Sequence, residues 1–160
     1  QYGLDYNYLI PCSLYGEHDN FDDSNKSHFI TALIKKIVDA EKKGEKKITL
    51  FGTGKPLRQF MHSSDLARVI KKVIEENITD NFNVAPPNQN LSIDQMARIA
   101  LNLSGKEDWA IEYDSTKPDG QFRKDVSCDK MIKCLGDFQF TNFEEGMQRL
   151  YKNIKLKYEE

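Results

Sequence analysis

Between residues 27 and 43 the apolar side chains Ile30, Leu33, Ile34, Ile37 and Val38 recur at spacings of three and four, which puts all five on one face of a helix. A face of that width has to be covered, so the flanking segments must supply the surface that covers it. Upstream, residues 6–10 are short, aromatic and β-rich and run into Pro11, which predicts a strand. Downstream, Gly44 stops the helix and Ile48-Thr49-Leu50-Phe51 predicts another strand. Strand, helix, strand in that order predicts an α/β protein with one parallel strand at its start.

The rest of the chain continues the alternation. A polar loop is expected over residues 12–26, with Gly16 and Asn20 as turn residues and Ser27 as the cap of the first helix. Gly52-Thr53-Gly54 reads as a turn, and Gln59-Phe60-Met61 as a short strand. Ser63 or Ser64 is expected to cap a second helix burying Leu66, Val69, Ile70, Val73 and Ile74. Residues 81–84 predict a strand that Pro86-Pro87 ends. Ser92 and Gln95 form a capping-box signature in front of Met96, Ile99, Ala100 and Leu103. A strand over 109–113 and a short helix over 128–135, closed by Gly136, follow. Asn142 with Glu145 then opens a last helix that buries Phe143, Met147, Leu150, Tyr151 and Ile154.

A length of 160 residues supports one domain with its own core. The net charge of −2 gives no reason to expect a nucleic-acid surface, and the clustered lysines at 35–36, 42–43 and 46–47 alternate with glutamates as on a solvated helix face. No run of about 18 apolar residues occurs, so no membrane span is expected. The three cysteines, Cys12, Cys128 and Cys134, form no CxxC pair and have no histidine cluster beside them. That argues against a disulfide framework and against a metal site, and fits the reducing cytoplasm. The sequence begins at Gln1, not at Met, and reaches a strand almost at once, so a piece of a longer protein is expected.

Four stretches call for more than periodicity. Pro11-Cys12-Ser13-Leu14-Tyr15-Gly16 follows a strand directly, the position at which open α/β sheets bind ligands. His28 falls in the first turn of a helix. Residues 51–60 join a glycine turn to Phe51 and Arg58. They lack P-loop spacing, but an aromatic ring and a guanidinium suit a base and a phosphate. In residues 114–124, Lys117-Pro118-Asp119-Gly120 is good turn chemistry, and the cations Lys117, Arg123 and Lys124 around Asp119 would suit a diphosphate.

Taken in order, Leu14-Tyr15-Gly16, His18-Asp19-Asn20-Phe21, His28, Gly52-Thr53-Gly54, Arg58-Gln59-Phe60-Met61-His62, Lys117-Pro118-Asp119-Gly120 and Arg123-Lys124 resemble the GDP-L-fucose synthases of the extended short-chain dehydrogenase class. Arg-x-Phe is common to nucleotide-sugar epimerases and dehydratases; Leu-Tyr-Gly-x-His-Asp-Asn-Phe and Lys-Pro-Asp-Gly narrow the match. The resemblance implies an enzyme that epimerises GDP-4-keto-6-deoxy-D-mannose at C3 and C5 and reduces C4 with NADPH. It implies further that Pro11, Cys12, Ser13 and Leu14 border the nicotinamide end of NADP. His28 would touch cofactor and sugar and act as the acid of the epimerisation, since an ordinary imidazole titrates near about 6.5. By the same resemblance Lys36 and Phe51 (where the family usually has Trp) would bind the substrate, Arg58 and Lys124 would clamp the diphosphate, and Asp119 would accept from the nucleotide's sugar or base. Homodimers are usual for the family.

No G-x-G-x-x-G fingerprint follows a strand, and the Tyr113/Lys117 spacing falls in a strand-to-loop stretch where Tyr and Lys cannot share a helix face. Residues 1–160 are therefore expected to be the C-terminal, substrate-binding domain, inactive alone, with one residual Rossmann strand and the NADP-binding half absent. Two alternatives remain. One is another nucleotide-sugar epimerase or dehydratase, separable by a GDP-versus-UDP preference. The other is a non-catalytic nucleotide-sugar-binding module, which a partner for the first strand within this chain would favour.

Overall fold

The computed structural model describes Gly3, residues 6–20 and residues 27–159. Strand β1 (Leu9–Pro11) pairs in parallel with β6 (Phe82–Val84), and β2 (Ser13–Tyr15) pairs in parallel with β5 (Phe60–His62). The longest pairing is the parallel one between β3 (Lys47–Phe51) and β8 (Ala110–Asp114). A small three-stranded sheet has β4 (Leu57–Arg58) at its centre, antiparallel to β7 (Leu91–Ser92) and parallel to β9 (Arg123–Lys124). The helices are α1 (Phe29–Lys42), α2 (Ser63–Glu75), α3 (Ile93–Leu103), α4 (Asp129–Leu135) and α5 (Phe143–Glu159).

Two apolar cores hold these elements. The larger joins the expected face of α1 to Ile48 and Leu50 of β3, Met96, Ala97, Ala100 and Leu101 of α3, and Phe143, Met147, Leu150 and Ile154 of α5. The smaller gathers Val69 and Val73 of α2, Phe82 and Val84 of β6, and Met131 and Leu135 of α4. Cys12, Cys128 and Cys134 are free thiols packed at its edge, and burial pushes the Cys12 thiol up to about 12.

Several local expectations shift. The first strand begins three residues late and includes Pro11. Tyr8 C=O and Cys12 N–H bond to β6, so even-numbered residues face the partner and the missing proline N–H points away from it. That strand, expected without a partner, has one in β6. The supposed loop over 12–26 contains β2, and its residues 21–26, including Phe21 of the resemblance, lie outside the described residues. His28, not Ser27, is the N-cap of α1, because the Ser27 hydroxyl donates to Asn20 C=O instead. His62, not either serine, caps α2: its Nδ1 accepts the Ser64 N–H at 3.3 Å. The Ser92–Gln95 capping box forms with both of its bonds, and Asn142 Oδ1 accepts the Glu144 and Glu145 N–H groups.

Helix α2 departs most from its pattern. Val69 and Val73 are buried, but Ile70 is 42% and Ile74 69% exposed, because the polar contacts of Asp65 set the rotation of the helix. Asp65 is 1% exposed and accepts from Arg68 at 2.5 Å, from Thr141 N–H at 2.9 Å and from the Thr141 hydroxyl at 2.8 Å. A buried carboxylate must be matched in this way, and the match outranks two isoleucines. Accordingly, Ile37→Ala at a fully buried site should cost about 2–5 kcal/mol. Ile74→Ala should stay within about 0.5 kcal/mol. Urea unfolding midpoints at equal m-value measure both.

Candidate functional site

Where α1, β3, β4 and the segment between β8 and β9 converge, they leave a groove of about 720 Å³. Its floor is apolar, from Phe29, Leu33, Leu50, Phe60 and Ile93; its rim is charged. Of the residues singled out in the sequence, Ser13, His28, Lys36, Phe51, Arg58, Asp119 and Lys124 all line it. Pro11, Cys12 and Leu14 do not. Pro11 is exposed on β1, while Cys12 and Leu14 pack toward the smaller core. Strand alternation explains the split: Leu14 turns to the opposite side of β2 from Ser13 and Tyr15.

At one end, the turn after β3 and the loop after β8 are fastened together. Thr53 donates its N–H to Asp119 Oδ1 at 2.6 Å and its hydroxyl to Asp119 Oδ2 at 2.8 Å. These two bonds hold the Asp119 carboxyl below its usual range, with smaller help from Lys55 and Arg58. Only glycine fits at 52: φ is +79°, and a Cβ there would stand 2.2 Å from Asp119 Oδ1. Thr53 lay inside a stretch read only as a turn, and its partner is 66 residues away, so local sequence carried no sign of the bond.

Beside this latch, Arg58 of β4 and Lys124 of β9 are register partners. Cross-strand partners share a face, and two like charges placed so repel. Arg58 is half-buried, donating to Leu57 C=O at 2.7 Å and reaching Asp119 C=O at 3.5 Å. Arg123, by contrast, is taken up by a bidentate pair with Asp125 at 2.7 and 2.9 Å. Phe51 stands 64% exposed, with the ammonium groups of Lys36 and Lys117 at 5.2 and 6.0 Å from its ring centre. Lys36 is steadied by a 2.8 Å bond to Thr49 C=O. An exposed aromatic next to cations suits a base, and paired cations suit a phosphate.

The other end of the groove carries His28, whose Nδ1 lies 3.0 Å from Asp19 Oδ1. His62 is a different case. It is buried against Tyr15 and lies 3.0 Å from Glu17, so it serves the packing below the groove and not the groove itself. Burial, and then the charge of Asp65, pushes the neighbouring Tyr15 hydroxyl up; it donates to Phe143 C=O at 3.2 Å. His18 is exposed and absent from the groove lining. Among the described residues no helix is long and apolar enough to cross a membrane, and no cluster of three candidate ligands could hold a metal.

A probable GDP-L-fucose synthase of Drosophila melanogaster is 32% identical over 95% of this chain and 49% of its own length. A GDP-L-colitose synthase of Yersinia pseudotuberculosis is 37% identical over 90% of this chain and 46% of its own length. Among solved structures, a GDP-L-fucose synthetase of Naegleria fowleri bound to NADP superposes with a TM-score of 0.84 at 29% identity, covering 94% of this chain and 47% of that one. The chain thus spans about half the length of the curated relatives it matches. Its α/β fold, with short parallel strand pairs, is that of the extended short-chain dehydrogenases. The family model described as NAD dependent epimerase/dehydratase family matches residues 1–85, more than half of the chain, and the chain belongs to that family.

Proposed function

We propose that residues 1–160 are the substrate-binding part of a GDP-L-fucose synthase-type enzyme, which converts GDP-4-keto-6-deoxy-D-mannose to GDP-L-fucose by 3,5-epimerisation and NADPH-dependent 4-reduction. The observation that carries the reading is the in-register pair Arg58 and Lys124 at the rim of an apolar groove. Their mutual repulsion is relieved when a diphosphate lies between them, and a charge-assisted bond of that kind contributes about 1.5–3 kcal/mol. Phe51 and Lys36 receive the nucleoside end, and Asp119, bonded to Thr53, holds the loop beside it. The names of the two relatives share GDP and differ in the sugar, so the guanine nucleotide is the better-supported half of the substrate.

On this reading His28 lies where the sugar would be. A 4-keto group acidifies the protons on the adjacent carbons, and a positioned imidazole can return a proton to one of them. NADP(H) belongs to the whole enzyme. Its pyrophosphate needs a glycine-rich turn at a helix N-terminus, and the sequence has none of that spacing, so these residues supply at most a border for the nicotinamide through Ser13 and His28. A cytoplasmic homodimer is proposed for the whole enzyme on resemblance alone.

One observation favours the second reading, a nucleotide-sugar-binding module: β1 finds its partner inside this chain, and both cores are internal. That reading uses the same groove and shares its binding test. Calorimetric titration should show binding of GDP-mannose and none of UDP-glucose. Arg58→Ala should weaken binding by about ten- to hundredfold, the equivalent of one charge-assisted bond. A preference for UDP-glucose would replace the fucose branch with another epimerase or dehydratase.

The Thr53–Asp119 latch gives a separate prediction. Thr53→Val removes the hydroxyl donor and should weaken GDP-mannose binding several-fold and speed amide exchange over residues 115–122. Because the folded Asp119 carboxyl lies below the ordinary value of about 3.9, the latch is intact above that pH and is lost as pH falls through the lower folded value. Exchange protection of this loop should therefore be equal at pH 7 and pH 5 once corrected for intrinsic rate, and collapse only in stronger acid.

A further inference from the structure

His28, whose side chain stands exposed in the groove, is held by a carboxylate nine residues before it in the sequence. Asp19 closes the turn after β2: its N–H donates to Gly16 C=O at 3.1 Å, and Gly16 is packed so closely on α2 that a Cβ would come within 2.3 Å of the Ser63 hydroxyl. From that anchored turn the Asp19 carboxylate reaches across to α1. Oδ1 accepts Asn20 N–H at 2.9 Å and lies 3.0 Å from His28 Nδ1; Oδ2 accepts the hydroxyl of fully buried Thr31 at 2.6 Å.

We infer that Asp19 is the positioning residue of His28, fixing the imidazole in its Nδ1–H tautomer and leaving Nε2 as the ring nitrogen that exchanges a proton with a ligand in the groove. The inference rests on the proposed function for the ligand, while the tautomer rests on the hydrogen-bond geometry around an ionised Asp19. An ionised carboxylate can only accept. Asn20 and Thr31 already approach it as donors, so the third neighbour, Nδ1, must donate as well. Burial alone would push the Asp19 carboxyl up, but the bonds from Thr31, His28 and Asn20 outweigh it and hold the group below its usual range, which keeps it ionised at neutral pH. With Nδ1 committed to Asp19, the ring is oriented by that bond, and Nε2 carries the lone pair. When Nε2 takes up a proton, the second N–H of the imidazolium already faces a negative charge, so no reorganisation is needed at that moment. The side chain of His28 remains 67% exposed while that of Asp19 is 14% exposed, as expected for a working ring on a fixed support.

The test is the tautomer of His28, read from long-range 1H–15N correlations of the whole 160-residue chain at about pH 8, where an ordinary imidazole is neutral. The wild-type ring should show a pyrrole-type Nδ1 and a pyridine-type Nε2. Asp19→Ala should reverse the populations toward Nε2–H. Asp19→Asn should retain the wild-type pattern, since its carbonyl oxygen can still accept from Nδ1 while its amide nitrogen donates to Thr31. A pyridine-type Nδ1 in the wild type, or the same tautomer in Asp19→Ala as in the wild type, overturns the inference; the wild-type spectrum decides even where the alanine variant is unfolded. The tautomer is read without ligand, so failure of GDP-mannose to bind in the calorimetric experiment would overturn the functional reading and leave this result standing.

Discussion

The parallel pairing of β3 with β8 is the constraint from which the groove follows. Its five residues place Ile48 and Leu50 against α1, and on the same strand they turn Lys47, Thr49 and Phe51 outward. Because Phe51 and Asp114 are the last register partners, both strands end at the same level. The turn leaving one and the loop leaving the other therefore begin side by side. Gly52 allows Asp119 to come close, Thr53 binds it, and Tyr113 completes the support by donating to Asp94 at the start of α3 at 2.5 Å. That bond, together with burial, pushes the Tyr113 hydroxyl up, with burial the larger effect. A slip of one residue in this ladder would turn Leu50 out of the core and Phe51 into it, and the groove would lose both floor and rim.

The groove is divided by charge. One end is cationic, with Lys36, Arg58, Lys117 and Lys124 around an exposed ring; the other holds the Asp19–His28 pair. The chain as a whole carries −2, so this concentration of positive charge is local and not a product of composition. On the proposed reading, a nucleotide sugar laid along the groove would have its phosphates at the cationic end and its sugar beside His28, so holding and chemistry would be separated. The floor between them is apolar, from Phe29, Leu33, Leu50, Phe60 and Ile93.

Much of this was readable from the sequence where the signal was periodic or chemical in type. The buried face of α1, the Ser92–Gln95 box and the stop at Gly136 are local patterns and appear as expected. Phe51, Arg58, Asp119 and Lys124 were identified by residue type and resemblance, and they meet at one groove. What escaped was set by distant partners. Two-residue strands such as β4 and β9 have no periodicity to detect and exist only through their pairing in the three-stranded sheet. The exposure of Ile70 and Ile74 follows from the bonds between Asp65 and Thr141, 76 residues apart. Thr53 looked like a turn residue and Asp19 only like part of a motif in a loop until the chain brought Asp119 and His28 to them. His62 took the cap that serines usually fill, because its ring had already been placed there by β5.

Shift mapping with GDP-mannose tests the central claim, that this groove is the seat of a nucleotide sugar, most directly. Amide and side-chain resonances of the chain should move along residues 28–36, 51–58 and 117–124 together, with Arg58, Phe51 and His28 each affected. Shifts confined to the separate cavity of about 430 Å³ between Pro86–Pro87 and residues 137–143, with the groove unmoved, would contradict it.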